Sequence, residues 1–338
     1  MGVPTTLEER QQLLDEFKQT LPPTVVKDLP EYLLLQCLDG NLWNFNDAKQ
    51  QLLDTVEWRT KMGVDDLPVA TKYNRLPVLM ACRGYRHIED TNFTVQPGIS
   101  ESTIRILNYV GGDCFHKFDK EGHPILIDRT GYHDAKHLGS HVTSEEITNY
   151  QVAANEFLNR VIMPEATEKA GQSIHSETII FDCTHMSLRQ FHMSAMYHLK
   201  AIADIVQHYY PETLHRLFVV NAPSAFVVMF KVIRPWLNPR TLEKIHVLGS
   251  DYQSVLLKYI DPENLPEFLG GQCQCKHMPG GCVPILPQKS SDKFQATADN
   301  EKVATVYNTD IMQAALKDKS LSSLLSEDEI KAMVGSSG

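Results

Sequence analysis

Four side chains late in the chain offer soft ligands: Cys273, Cys275, His277 and Cys282, in the pattern Cys-x-Cys-x-His-x4-Cys. Zinc would require all four to converge as thiolates and imidazole on one tetrahedral point. Cys-x-Cys works against that in extended backbone, where side chains one residue apart project to opposite sides. With Gly280 and Gly281 just before Cys282, the spacing predicts a glycine-rich turn that closes a domain and holds no metal. His133, His137 and His141 recur at four-residue steps, but Gly139 interrupts them and no carboxylate is clearly paired with them. They read as a polar loop rather than a metal-binding face.

Catalytic signatures are missing from the sequence: there is no G-x-S-x-G elbow, no phosphate-binding P-loop, no G-x-G-x-x-G and no H-E-x-x-H. The expectation is therefore a binding protein with no catalytic residue and no cofactor. The strongest physical signal is Ser224 to Trp236, SAFVVMFKVIRPW, apolar on nearly every side of a helix and broken only by Lys231 and Arg234. It is too short to span a bilayer. Two readings stand at this point, a buried core helix or a movable lid over an apolar ligand.

These residues need a scaffold to place them. Helical spacing of Leu33, Leu34, Leu38, Leu42, Phe45, Leu52, Leu53, Val56 and Trp58 predicts helices over 6–20 and 31–62, with Gly63 as the stop. From about 105 to 275 short apolar runs at 124–128, 179–181, 217–220 and 245–248 read as strands, and a helix follows each of the last three. The helix opened by Ser144 carries Glu145 and Glu146 in its first turn. This alternation predicts an α/β fold with a parallel or mixed sheet covered by helices. The expected organisation is a helical unit over 1–63, a connecting segment over 64–104, an α/β domain over 105–275, and a loosely packed tail over 283–338 with helical patches at 309–317 and 320–334.

Composition narrows the function classes. Of the 338 residues, 42% are hydrophobic and 22% charged, which fits a globular chain, and no run approaches the ~20 apolar residues of a membrane span. A formal charge of −10 argues against a nucleic-acid partner, which needs clustered Lys and Arg. Seven scattered cysteines do not form a disulfide framework, and the N-terminus lacks a secretory pattern, so a soluble, cytoplasmic protein with reduced thiols is expected. Met1 to Thr6 fits the loose N-myristoylation spacing at Gly2, a pattern that short sequences often match by chance.

Ordered motifs then become specific: His208-Tyr-Tyr-Pro-Glu212, Asn221-Ala-Pro223, Pro235-Trp-Leu-Asn-Pro239, Lys244-Ile245, Leu248-Gly-Ser250 and Asn264-Leu-Pro-Glu-Phe-Leu-Gly-Gly271. Together with Phe118-Asp-Lys-Glu-Gly-His-Pro124 and Val142-Thr-Ser-Glu-Glu146, they closely resemble the CRAL-TRIO lipid-binding family, in its fungal phosphatidylinositol/phosphatidylcholine transfer branch, over roughly 30–275. The resemblance implies a helical N-terminal unit packed on a sheet-lined lipid pocket. Residues 224–236 would be its gate, contributing Phe226, Val227, Met229, Phe230, Ile233 and Trp236. It also implies that Glu212, Thr241 and Lys244 recognise a phosphatidylinositol headgroup. Without it, Glu212 and Lys244 read as an ordinary ion pair.

Some positions depart from that pattern. Leu38-Asp-Gly-Asn-Leu-Trp43 stands where the family carries a basic run. Glu177, Ile179 and Val206 replace small hydroxyl residues, and Phe115 and Leu126 replace pocket tyrosines. These changes argue against phosphatidylcholine bound in the fungal manner. The implied partners are a phospholipid and, transiently, a membrane surface. The alternatives are a sterol or isoprenoid cargo, or a lipid-loaded scaffold for a kinase or small-GTPase regulator that uses the tail as its protein contact.

Overall fold

The computed structural model describes residues 3–27, 29–67, 109–187, 192–276 and 281–283, with the single positions 102, 106 and 190. Gly2, His277, most of the 64–104 connection and the helical patches expected at 309–317 and 320–334 lie outside the described residues. Val283, the last of them, is buried in the core rather than loose.

The N-terminal unit begins with α1 (Leu7–Thr20), capped by Thr6, whose hydroxyl accepts from the Glu9 amide. After α2 (Pro23–Val26), the single helix expected over 31–62 is two: α3 (Glu31–Gly40) and α4 (Phe45–Met62). Leu42 and Trp43 take left-handed backbone, φ 51° and 62°, and Asn44 recaps the chain by accepting from the Asn46 and Asp47 amides. The break turns the Trp43 indole into a core with Phe17, Leu34, Leu38 and Leu52, where its N–H donates to Asp39 at 2.9 Å. Gly63 ends α4 in left-handed backbone, as its sequence position predicts.

The α/β part contains a five-stranded sheet in the order β1 (Asp113–Phe118), β2 (Pro124–Asp128), β3 (Glu177–Asp182), β4 (Leu214–Val220) and β5 (Ile245–Val247). The β1–β2 pair is antiparallel and the rest are parallel. Between them lie α5 (Ala135–His141), α6 (Ser144–Phe157), α7 (Met163–Ala170), α8 (Met193–Tyr209), α9 (Ser224–Ile233) and α10 (Pro239–Glu243), and α11 (Tyr252–Tyr259) follows β5. Sequential order with crossovers of one hand sends the connecting helices to one face of the sheet. The other face, with Ile125, Ile127, Ile180 and Phe218, is packed by Leu256 and Ile260 of the α11 region and by Leu265, Leu269 and Val283.

Two further elements differ from expectation. Strand β1 has no clear sequence signal because it carries a bulge: Phe115 pairs with Leu126 and Phe118 with Pro124, three steps against two, with Lys117 at φ 58°. The histidine stretch forms the short helix α5, started by Asp134, whose side chain accepts from the His137 amide. Each histidine there has local partners. His137 Nδ1 lies 2.7 Å from Asp134, His133 Nε2 lies 3.0 Å from Asp128, and the His141 ring packs on Tyr109.

Helix α6 opens with the reciprocal Thr143/Glu146 capping box and passes into a π-helical turn at Leu158–Ile162. From α6, Glu156 reaches back to the N-terminal unit. Both carboxylate oxygens accept from Arg59, at 2.8 and 2.9 Å, and one also accepts from the Tyr210 hydroxyl at 2.8 Å. Arg59 and Glu156 are both buried, so this charge-assisted fork ties α4 to the α/β domain.

Candidate functional site

Strand alternation assigns Glu177, Ile179 and Phe181 of β3 to one face of the sheet, together with Leu217 and Val219 of β4. Helix α9 crosses this face. Phe226, Met229 and Val232 are buried against it, and Phe230, Ile233 and Trp236 pack partly buried around them. Val227 points the other way and is 55% exposed. Five of the six expected gate residues thus meet in one cluster, while Val227 offers an apolar contact to the outside. Ile179 and Phe181 lie mid-strand in a central strand yet stay partly exposed, so the helix covers the sheet without sealing it.

Both ends of α9 are built as joints. At the first, Asn221 takes left-handed backbone (φ 55°) and its amide donates to Asp182 at 2.9 Å and to Thr184 at 3.0 Å. At the second, a tight turn over Arg234–Trp236 follows the helix. There the Gln207 amide donates to the Trp236 carbonyl at 2.8 Å and its oxygen accepts from the Asn238 amide at 2.9 Å. Each joint is thus held by a few polar contacts made outside the helix itself.

A charged cluster sits beside the second joint. Asn238 caps α10 by accepting from the Thr241 amide at 2.7 Å. The short helix delivers Lys244 to Glu212, at 2.6 Å, and to the Leu214 carbonyl, also at 2.6 Å. Glu212 holds left-handed backbone at φ 56°. The flanking residues Leu214 and Ile245 pack on the α9 cluster, so the charges border the apolar interior. Thr241 stands on α10, partly buried.

Arg240, which sequence reasoning passed over, completes the group. It donates to Glu212 at 3.3 Å and to the carbonyls of Asp39 and Gly40, the latter at 3.0 Å. The signal was a second cation one helical turn before Lys244. Through Arg240 the cluster reaches Asp39 and Gly40, in the stretch where the resemblance led to the expectation of a basic run. Asp39 itself is held by Arg10 at 2.6 Å and His175 at 2.8 Å. Burial would raise its carboxyl, but these hydrogen bonds outweigh burial and hold it below the usual carboxylate range.

The interior also holds an unpaired acid. Glu177 is 7% exposed, one carboxyl oxygen has no hydrogen-bond partner, and burial pushes its pKa up to about 8. A neutral carboxyl is thus favoured where relatives were expected to place a small hydroxyl.

Comparison with known proteins bears on the family and the fold. The CRAL/TRIO domain family model matches residues 110–271. The Sec14 cytosolic factor of Schizosaccharomyces pombe is 30% identical over 284 residues, which cover 83% of this chain and 88% of that protein. The phosphatidylinositol/phosphatidylcholine transfer protein SFH7 of Arabidopsis thaliana is 33% identical over 277 residues, or 80% of this chain but 45% of its own length. The chain therefore spans less than half of such plant relatives. Because relatives come from both plants and fungi, the similarity is to the family at large and not to a fungal branch. The crystal structure of Sfh5 superposes with a TM-score of 0.51 at 16% identity, covering 94% of this chain and 99% of that one, which is agreement in fold.

Proposed function

Because the chain belongs to the CRAL/TRIO family of Sec14-like lipid-transfer proteins, we propose that it carries one phospholipid at a time, phosphatidylinositol, between membrane surfaces. The observation behind this reading is the half-covered apolar face of the sheet beneath α9, bordered at one end by Arg240 and Lys244. A diacyl lipid leaving a bilayer exposes about thirty methylenes, and at ~0.8 kcal/mol each the cost is on the order of 20 kcal/mol. An apolar interior removes that cost, and no covalent step is involved. In this reading α9 swings on the Asn221 and Gln207 joints, Val227 leads the contact with the bilayer, and the phosphate replaces Glu212 as the partner of Lys244 and Arg240. The setting is cytoplasmic with transient membrane contact. Among the described residues, no helix is long and apolar enough to cross a membrane.

Phosphatidylcholine fits less well. Glu177 would place a larger, buried carboxyl where a small hydroxyl is expected beside the choline phosphate, leaving less room for that headgroup. Native mass spectrometry of lipids that copurify with the chain tests the assignment. Phosphatidylinositol should be present in the wild type and lost in Glu212→Ala/Lys244→Ala. A sterol or isoprenoid in its place would refute the cargo assignment while leaving the apolar interior intact.

A further inference from the structure

Cys273, Cys275 and Cys282 meet a ligand-type neighbour that their spacing in the sequence does not suggest. His116, on β1, comes together with Cys273, Cys275 and Cys282, and one ligand atom from each lies within 4.8 Å of all the others. His116 is 0% exposed, and its ring nitrogens find no hydrogen bond of good geometry, with only the Cys273 and Cys275 thiols beside them. A buried imidazole left without partners is costly. The thiols are free, and the Cys273 and Cys275 sulfurs stand 3.6 Å apart, far beyond the ~2.05 Å of a disulfide. Sulfurs bound to one tetrahedral zinc at about 2.3 Å are separated by about 3.8 Å. The observed spacing matches that edge.

Backbone geometry explains why the residues converge. The β1 bulge keeps Phe115 and Phe118 on the helix-covered face and leaves Cys114 and His116 on the other, towards the C-terminal segment. Cys275 takes left-handed backbone at φ 42°, which breaks the alternation that would separate it from Cys273. Gly281, at φ 80°, then returns the chain so that Cys282 arrives with its thiol donating to the Cys273 carbonyl at 3.3 Å. The segment is already braced: the Cys273 amide donates to Leu265 at 3.0 Å and its carbonyl accepts from Glu267 at 2.9 Å.

We infer that His116, Cys273, Cys275 and Cys282 form a structural zinc site that staples the end of the lipid-binding domain to the outer strand of its sheet. Three thiols and one imidazole favour Zn²⁺ over the hard cations. Binding releases three thiol protons to solvent while the imidazole contributes a lone pair. Four protein ligands close the coordination sphere and leave no open position for substrate. The second cluster of ligand-type residues, Glu121, His123 and His215, is a weaker candidate, because Glu121 is engaged by Arg216 at 2.8 Å and the two rings stack.

The test uses the full chain purified without chelator, with its zinc measured by inductively coupled plasma mass spectrometry. About one zinc per chain is expected, with an X-ray absorption first shell of three sulfurs near 2.3 Å and one nitrogen near 2.0–2.1 Å. His116→Ala and Cys275→Ser should each reduce zinc to below about a tenth per chain, whereas His277→Ala should retain it. The absorption spectrum of the wild-type chain decides the matter even if a variant fails to fold. Metal below a tenth per chain, a shell without sulfur, a disulfide between any two of the three cysteines, or zinc lost with His277 and kept without His116 would each overturn the site.

Discussion

Replacing Glu177 with Gln should make the protein more stable at neutral and alkaline pH and leave it nearly unchanged in acid. The carboxyl has an ordinary pKa of 4.5, and burial raises it to about 8 in the folded chain. Between those values the unfolded chain has given up a proton that the folded chain still binds, so stability falls as pH rises through this window. Each unit of pH within it costs about 1.36 kcal/mol. Between pH 5 and pH 7 the wild type should therefore lose about 3 kcal/mol through this one group, and the neutral amide should not. Urea unfolding of delipidated wild type and Glu177→Gln at pH 5, 7 and 9 reads the difference directly from the midpoints. A constant gap across the three pH values would refute the argument, because it would mean that Glu177 titrates alike in the folded and unfolded chains.

Other expectations follow from the joints and ion pairs. Glu156→Ala leaves the buried Arg59 guanidinium with Asp65 as its remaining carboxylate partner and takes the acceptor from the Tyr210 hydroxyl, and should cost about 1.5–3 kcal/mol in urea unfolding; a loss below about 1 kcal/mol would show that the fork does not dock the N-terminal unit. Gln207→Ala removes two hydrogen bonds at the second joint, each worth about 1 kcal/mol, so amide exchange in 224–238 should accelerate by roughly tenfold or more. Unchanged exchange would mean the joint does not restrain α9. Arg240→Ala should weaken phosphatidylinositol retention about tenfold or more, as expected for a charge-assisted hydrogen bond worth about 1.5–3 kcal/mol. Retention equal to wild type would remove Arg240 from the site.

Much of the architecture was legible because it follows from periodicity. The strands at 124–128, 179–181 and 217–220, the acidic first turn of α6 and the apolar character of α9 all depend on local pattern, and the structure keeps them. Features set by single left-handed residues were not legible. Trp43 at φ 62° splits one expected helix into two, and Cys275 at φ 42° brings together thiols that extended backbone would hold apart. The bulge at 116–117 hid β1 as well, since its inward residues fall three apart instead of two. The candidate site shows the same division. Ordered motifs single out Glu212 and Lys244, which the structure pairs, but their neighbour Arg240 takes its meaning from the carbonyls of Asp39 and Gly40, two hundred residues away in sequence. His116 is comparable: no spacing rule links it to Cys273, and only the sheet brings them together.

A carrier must move lipid through water inside its own interior. Donor vesicles containing radiolabelled phosphatidylinositol, incubated with unlabelled acceptors and the purified chain, measure that movement. Label should reach the acceptors in proportion to the amount of protein, and transfer should drop sharply with Glu212→Ala/Lys244→Ala. If label stays in the donors while the chain holds lipid or a protein partner, the molecule presents lipid rather than carrying it, and the carrier reading is wrong.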